Sequence, residues 1–559
     1  MKKFLPAGVI LLVAGLLYIP TLRTGFLADD FLDSECTIHE VPRAFVSLAS
    51  SGYRPLMSLS WAIDNLLWGK ENQAGWHLTN IIILLATVFM LYRFLSLYLK
   101  STTALVAALM LFTVCLPVTA SVAKVVWRTS LLPMIPLLAA FVFVHRWGTD
   151  SGRWWQLCLS SILLLVSLFL KELALASPPV FAVIVLTTDH RRNKWRKPLI
   201  ALAASGIAVL AYGLTRYFAV GFSIGYSSTL TFGFFMFKNI MLLGSMVLDP
   251  WLSTISVRVL VLVFALLLWC IPGGWRHRML VVVLGVFMLL PVSNLPLRPD
   301  YAVAGVPALA LALGFVVQEN DKKKFVLPVL IILFTGIFLH SRDEISILAD
   351  ASDYVDRTTE RLAEIADELP GGGPLFVDGI HNTVGTYGTF WPGEYMLPME
   401  CLGIQPGRFI AGTDRIWEVL ITEDNTGFLV FMSDDAIHYT SVPVSADMYP
   451  GLPDTTVILS GSISAGELIR YPSCSGPDES GSLYLVSSIY LDSVITIYPD
   501  FHDGVACYDL ASVPVWLAAS EYAVLIGDGP VELVFSSRNI SLERALEIIE
   551  SKTDQSAII

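Results

Sequence analysis

No charged side chain occurs between Phe4 and Leu22. Those nineteen residues, at about 1.5 Å each along a helix, match the ~30 Å hydrocarbon core of a bilayer. Similar runs recur at about 77–98, 102–122, 130–146, 156–170, 173–188 and 198–218. Four more fall at about 256–272, 279–295, 301–318 and 325–340. Inside a bilayer a backbone has no water to bond, so each run must satisfy its own amides as a helix. Only 15% of the chain is charged and 55% is hydrophobic, against roughly 25% charged in soluble proteins. The expectation is a polytopic α-helical membrane protein with about eleven transmembrane helices.

Charge divides the chain. Residues 341–559 hold 34 acids and 9 bases, a net of −25, whereas residues 1–340 hold 14 acids and 27 bases, a net of +13. The overall charge of −12 is thus no sign of a nucleic-acid partner. It reflects an acidic tail attached to a basic-rimmed membrane domain. Lys2-Lys3 sets the N-terminus in the cytoplasm by the positive-inside rule, and the first run reads as a retained helix. Lys100, His145-Arg146 with Arg153, and the cluster Arg191–Lys197 then fall on the same side. Lys124, Arg128, Lys171 and Glu172 fall on the outer side with the first loop, residues 23–76. The segment 230–250 carries Lys238, Asp249 and Pro250. If it crossed, Lys322-Lys323-Lys324 would lie outside, so it reads as a re-entrant or surface-lying outer element.

Beyond His340 the composition changes. Residues 343–369 read as an amphipathic helix, ended by Pro370-Gly371-Gly372-Gly373-Pro374. Short apolar runs at 375–377, 428–431, 456–459, 483–486, 494–497 and 531–535 read as strands, with a last helix at about 542–551. The expected organisation is a membrane domain over 1–340 and an extracytoplasmic α+β domain over 341–559. Cys401, Cys474 and Cys507 lie in that tail, where a non-reducing compartment would allow one disulfide.

Asp29-Asp30 opens the first loop directly after the first helix. Acids at a membrane boundary carry function more often than acids on a soluble surface. One of such a pair also has an ordinary use as the cap of a following helix. Arg54, Arg128, Lys171 and Arg298 have two readings, as phosphate ligands or as boundary side chains that snorkel. Glu172 reads as a second acid or as the ion-pair partner of a neighbouring base, and His77 as a satisfied structural histidine or a contact to substrate.

Taken in order, several motifs resemble the GT-C superfamily of membrane glycosyltransferases. They are Gly25–Phe31, Tyr53-Arg54-Pro55-Leu56, Ile63-Asp64 with Leu67-Trp68-Gly69, Trp76-His77-Leu78-Thr79-Asn80, Trp127-Arg128-Thr129, Leu170-Lys171-Glu172 and Leu297-Arg298-Pro299-Asp300-Tyr301. The closest likeness is to protein O-mannosyltransferases and to bacterial relatives of the transmembrane, tetratricopeptide-containing O-mannosyltransferases. The resemblance implies transfer of a hexose from a polyprenyl-phosphate carrier to a protein or glycan acceptor at the outer face of a bacterial inner membrane. It implies a catalytic acid at Asp29 or Asp30, with Glu172 as a second acid. It implies contacts to the lipid phosphate or sugar from Arg54, His77, Arg128, Lys171, Arg298 and Tyr301, and it allows Mg²⁺ or Mn²⁺ at Asp29 and Asp30. A lipid-linked oligosaccharide polymerase or ligase, a transporter and an inactive scaffold remain as alternatives.

Overall fold

The computed structural model describes residues 5–34, 36–46, 53–149, 151–188, 195–221, 234–252, 256–271, 274–293, 295 and 297–368, with ten strand segments between 375 and 535. The first helix, α1, spans Leu5–Tyr18, and the loop after it carries α2 (Asp29–Ser34), α3 (Val41–Ala44) and α4 (Pro55–Trp68). Then come α5 (Gln73–Leu95), α6 (Thr102–Val114), α7 (Leu116–Ala123), α8 (Arg128–Leu131), α9 (Met134–Gly148), α10 (Trp154–Leu170), α11 (Pro178–Thr188) and α12 (Arg196–Val220). The series ends with α13 (Phe234–Met246), α14 (Val257–Cys270), α15 (Trp275–Leu289), α16 (Val306–Asn320) and α17 (Val326–Glu368).

Among the described residues, six helical stretches are long and apolar enough to cross a bilayer: Gln73–Leu95, Arg128–Gly148, Arg196–Val220, Trp275–Val292, Pro299–Asn320 and Val326–Arg357. A seventh crossing results if the bent pair α6 and α7 is one span. Five further apolar helices, at Gly8–Arg23, Trp154–Leu170, Pro178–Thr188, Met236–Leu248 and Val257–Cys270, are shorter. These elements make the chain a multi-pass membrane protein. Prolines and 3₁₀ turns shorten several of the runs read from hydropathy, as at Pro178 and at Pro299–Gly305.

Helix association within lipid has no hydrophobic driving force and rests on close packing and polar contacts. The packing appears where α6 meets α16. Ala104, Ala107 and Ala108 face a helix that buries Ala308, Ala310 and Ala312. Phe141 of α9 is fixed between Phe94 of α5 and Phe181 of α11, with ring centroids at 5.7 and 5.6 Å.

The polar contacts are concentrated at the break between α6 and α7, where the two helices bend by 50°. Pro117 has no N–H, so the Thr113 carbonyl loses its helical donor. The Val118 amide bonds the Cys115 carbonyl, which frees the Val114 carbonyl as well. Tyr18 of α1 donates its hydroxyl to Thr113 O at 2.6 Å, and Ser341 of α17 donates to Val114 O at 2.6 Å. Removing the first donor by Tyr18→Phe leaves a buried carbonyl unpaired. It is expected to cost about 1–3 kcal/mol, measurable as a lower melting temperature of the purified protein in detergent.

One expectation needs correction. The amphipathic helix at 343–369 is not a separate element but the second half of α17, which runs unbroken from Val326 to Glu368. No glycine or proline lies between Gly336 and Pro370, so nothing in the backbone stops the helix where the hydropathy falls.

The chain divides into two compact units, 1–352 and 353–559. In the second, a four-stranded sheet has the order Phe409–Ala411, Leu375–Asp378, Gly427–Met432, Tyr439–Val444. The first three strands run parallel and the last is antiparallel to its neighbour. The expected strands at 456–459 and 494–497, the last helix at 542–551, Cys401, Cys474, Cys507 and most of the basic cluster at 191–197 lie outside the described residues.

Candidate active site

The residues singled out from sequence converge on the turn between α7 and α9, residues 124–131. Asp30 is buried, with 1% of its surface exposed. Its Oδ1 accepts the Val126 amide at 2.6 Å and its Oδ2 accepts the Leu27 amide at 3.0 Å. Asp30 thus fastens the first loop both to itself and to the turn. Asp29 is the first residue of α2; its side chain is outside the described ones. The residue before it, Ala28, has φ of 44°, a left-handed conformation that disfavours any side chain with a Cβ. Phe26 anchors the same loop, edge-on to Phe31 at 5.6 Å and to Trp76 at 5.7 Å.

Two residues beyond Val126, Arg128 is fully buried and forms an ion pair with Asp64 of α4. Thr79 donates to the other Asp64 oxygen at 2.8 Å, and the guanidinium lies 5.4 Å from the Trp76 ring. Its Nη2 is buried without a partner among the described residues. Arg128 has 0% exposure. His77 is also buried, its Nε2 sharing a hydrogen bond with Thr24 Oγ1 at 3.1 Å.

The same turn reaches a second group. Lys171, just past the end of α10, donates to Thr129 Oγ1 at 3.1 Å and Ser130 Oγ at 2.6 Å. Its Nζ is 3.6 Å from Asp300 Oδ2. Asp300 also accepts from Ser130 at 2.9 Å and from Arg298 Nε at 3.0 Å. Tyr301 lies beneath both cations, at 4.9 Å from each, and rests on an apolar cluster that includes Leu173, Ile240, Leu243 and Val292. Arg298 stacks on Trp127 at 4.7 Å and keeps 32% of its side chain exposed. Burial pushes the Lys171 amine down to about 7; Arg54 and Arg298 add to this, while Asp300 and Glu172 oppose it.

Glu172 follows Lys171 directly and joins a third group. It pairs with Arg54 at 3.1 Å and with Arg216 of α12 at 3.7 Å. Burial raises its carboxyl, but Arg54, a backbone hydrogen bond and Arg216 outweigh that, and the net shift is downward. Arg54, Glu172 and Arg216 keep 16–19% exposure. Arg54, Arg216 and Arg298 are each partly exposed, and Lys171 is buried. This excess of cations suits an anionic group.

Arg54, Lys171, Glu172, Arg298 and Tyr301 lie in this connected group, whereas Arg128 and His77 are packed behind it. Arg216, Asp64 and Asp300 were not singled out in advance. Asp300 was legible as the acid between Arg298 and Tyr301, but Arg216 lies in an apolar helix with no local motif. Among the described residues no three His, Cys, Asp or Glu side chains converge as a metal site, and both Asp30 oxygens already accept backbone amides. The Asp29 side chain named in the Mg²⁺ or Mn²⁺ expectation lies outside the described residues, and no step below runs through a cation.

No protein-family model matches the chain, and no curated protein sequence matches it. Solved structures with a partial likeness include ArnT from Cupriavidus metallidurans bound to undecaprenyl phosphate. It has 12% identity and a TM-score of 0.46, over 78% of this chain and 93% of that one. The mycobacterial arabinofuranosyltransferase AftD has 13% identity and a TM-score of 0.41, over 89% of this chain and 42% of that one. The oligosaccharyltransferase AglB from Archaeoglobus fulgidus, in complex with an inhibitory peptide and a dolichol-phosphate, has 12% identity and a TM-score of 0.40, over 85% and 74%.

Proposed function

We propose that the chain is a membrane glycosyltransferase of the GT-C kind, taking a hexose from a polyprenyl-phosphate donor to a hydroxyl of a protein or glycan acceptor at the outer face of a bacterial inner membrane. The observation that carries this reading is the joining of an acid-bearing loop and a half-open cluster of cations through one turn of an apolar bundle. Asp30 bonds Val126, Arg298 stacks on Trp127, and Lys171 bonds Thr129 and Ser130.

In the proposed reaction, Asp29 takes the proton of the acceptor hydroxyl as its oxygen attacks the anomeric carbon. The bond between that carbon and the phosphate oxygen breaks, and the electron pair leaves with the lipid phosphate. Arg54, Arg216, Arg298 and Lys171 stabilise the charge that develops there. Glu172 fixes Arg54 and Arg216, and Asp300 fixes Arg298 and Lys171. Asp30, Arg128 and Asp64 hold the loop and the turn in place. The domain over 341–559, read as extracytoplasmic and α+β, would recognise the acceptor.

The test is donor consumption by membranes containing the protein, using radiolabelled polyprenyl-phosphate hexoses. Label leaving the carrier in the wild type, and not in Asp29→Asn at equal protein level, supports the reading. Label that stays on every donor with the wild type overturns it.

A pH dependence follows from Lys171. Below about 7 its amine is charged, and as pH rises through that value the charge is lost. Donor KM is expected to rise over this interval in the wild type, while in Lys171→Met it stays flat at the higher value. A wild-type KM independent of pH between 6 and 8 would exclude this role.

A further inference from the structure

The first loop is held from a direction that the chemistry does not require. The Gly25 amide donates to the hydroxyl of Ser352, a residue 327 positions away on α17. Ser352 is fully buried, and its helix presents Ser341, Ile345, Leu348 and Ala351 as a buried stripe leading to it. Ser341 bonds the Val114 carbonyl at the α6–α7 break, and His340 pairs with Asp249 at 3.5 Å. The part of α17 that ends at Ser352 is therefore tied to three separate places in the bundle.

On the other side of Gly25, the loop contains the left-handed Ala28. A residue in that conformation persists only when its surroundings over-determine it. The restraints are Ser352 on Gly25, His77 on Thr24, and Leu27 and Val126 on Asp30. Asp29 stands between the strained residue and the clamped one, so its backbone direction depends on both anchors.

We infer that Ser352 is a positioning residue for the Asp29 backbone, acting through the Gly25 amide to keep Ala28 left-handed. The catalytic half of this inference rests on the glycosyl-transfer reading above; the structural half does not. A conformational hold of this kind affects the chemical step more than donor binding, because the cations lie on other elements. A displacement of about 1 Å at a reacting group lowers the rate by about a hundredfold.

The test uses the full chain, purified in detergent, as wild type, Ser352→Ala and Ser352→Thr. Hydrogen–deuterium exchange is followed in a peptide spanning 24–31, alongside donor consumption. Ser352→Ala is expected to raise exchange in that peptide at least about tenfold and to lower kcat by about ten- to a hundredfold with donor KM unchanged. Ser352→Thr, which keeps the hydroxyl, is expected to restore both. Because Ala28→Gly removes the left-handed penalty, adding it to Ser352→Ala should recover part of the lost kcat. Unchanged exchange in Ser352→Ala overturns the clamp. Raised exchange with unchanged kcat overturns its role in positioning. A wild type inactive on every donor overturns the glycosyl-transfer reading, and the exchange measurement still decides the clamp.

Discussion

On the proposed reading, Asp29→Asn is expected to lower sugar transfer by about 10²–10⁴-fold. Asp30→Asn is expected to act through the fold. Each Asp30 oxygen accepts a backbone amide, from Val126 and from Leu27. An asparagine turns one acceptor into a donor and faces it against one of those amides, so the fold loses a contact and gains a repulsion. A buried group left in that state costs about 1–3 kcal/mol, read as a lower melting temperature together with any loss of activity. Equal thermal stability of both variants, with activity lost only in Asp30→Asn, would exchange the two roles.

The largest effect on stability is expected at Arg128. Arg128→Met leaves Asp64 as an uncompensated charge with almost no solvent contact. Breaking a buried pair from one side costs about 3–5 kcal/mol, whereas replacing both partners by apolar residues of similar size is often neutral. The double variant Arg128→Met with Asp64→Leu should therefore accumulate and melt close to the wild type, while Arg128→Met alone should fail to accumulate. Thr79 keeps an acceptor in the double variant, because its hydroxyl also faces the Gly75 carbonyl at 3.3 Å. If the double variant accumulates no better than Arg128→Met, the pair is needed for more than charge balance.

The motif residues Arg54, Lys171, Glu172 and Arg298 were visible in sequence because charged side chains beside apolar runs are rare and have few uses. What each pairs with was not visible. Arg54 meets Glu172 across 118 positions, Arg128 meets Asp64 across 64, and Ser130 meets Asp300 across 170. Neither periodicity nor spacing encodes such partners. This is why Arg128, which looks like a phosphate ligand beside Trp127 and Thr129, is buried on Asp64. It is also why Arg216 was missed. For helices, hydropathy marked where the surroundings of the chain change, and that is a different quantity from where its backbone hydrogen bonds stop. At His340 the hydropathy falls but the helix continues; at Cys115 the hydropathy is unbroken but Pro117 ends the helix.

The repair of that break joins parts of the chain that are far apart in sequence. Thr113 O and Val114 O are completed by Tyr18, made 95 residues earlier, and by Ser341, made 227 residues later. In a chain that ends at Asn320 the Val114 carbonyl lacks the Ser341 donor, and within lipid no water would replace it. The helix that supplies this donor, α17, also carries the Ser352 hydroxyl to the first loop.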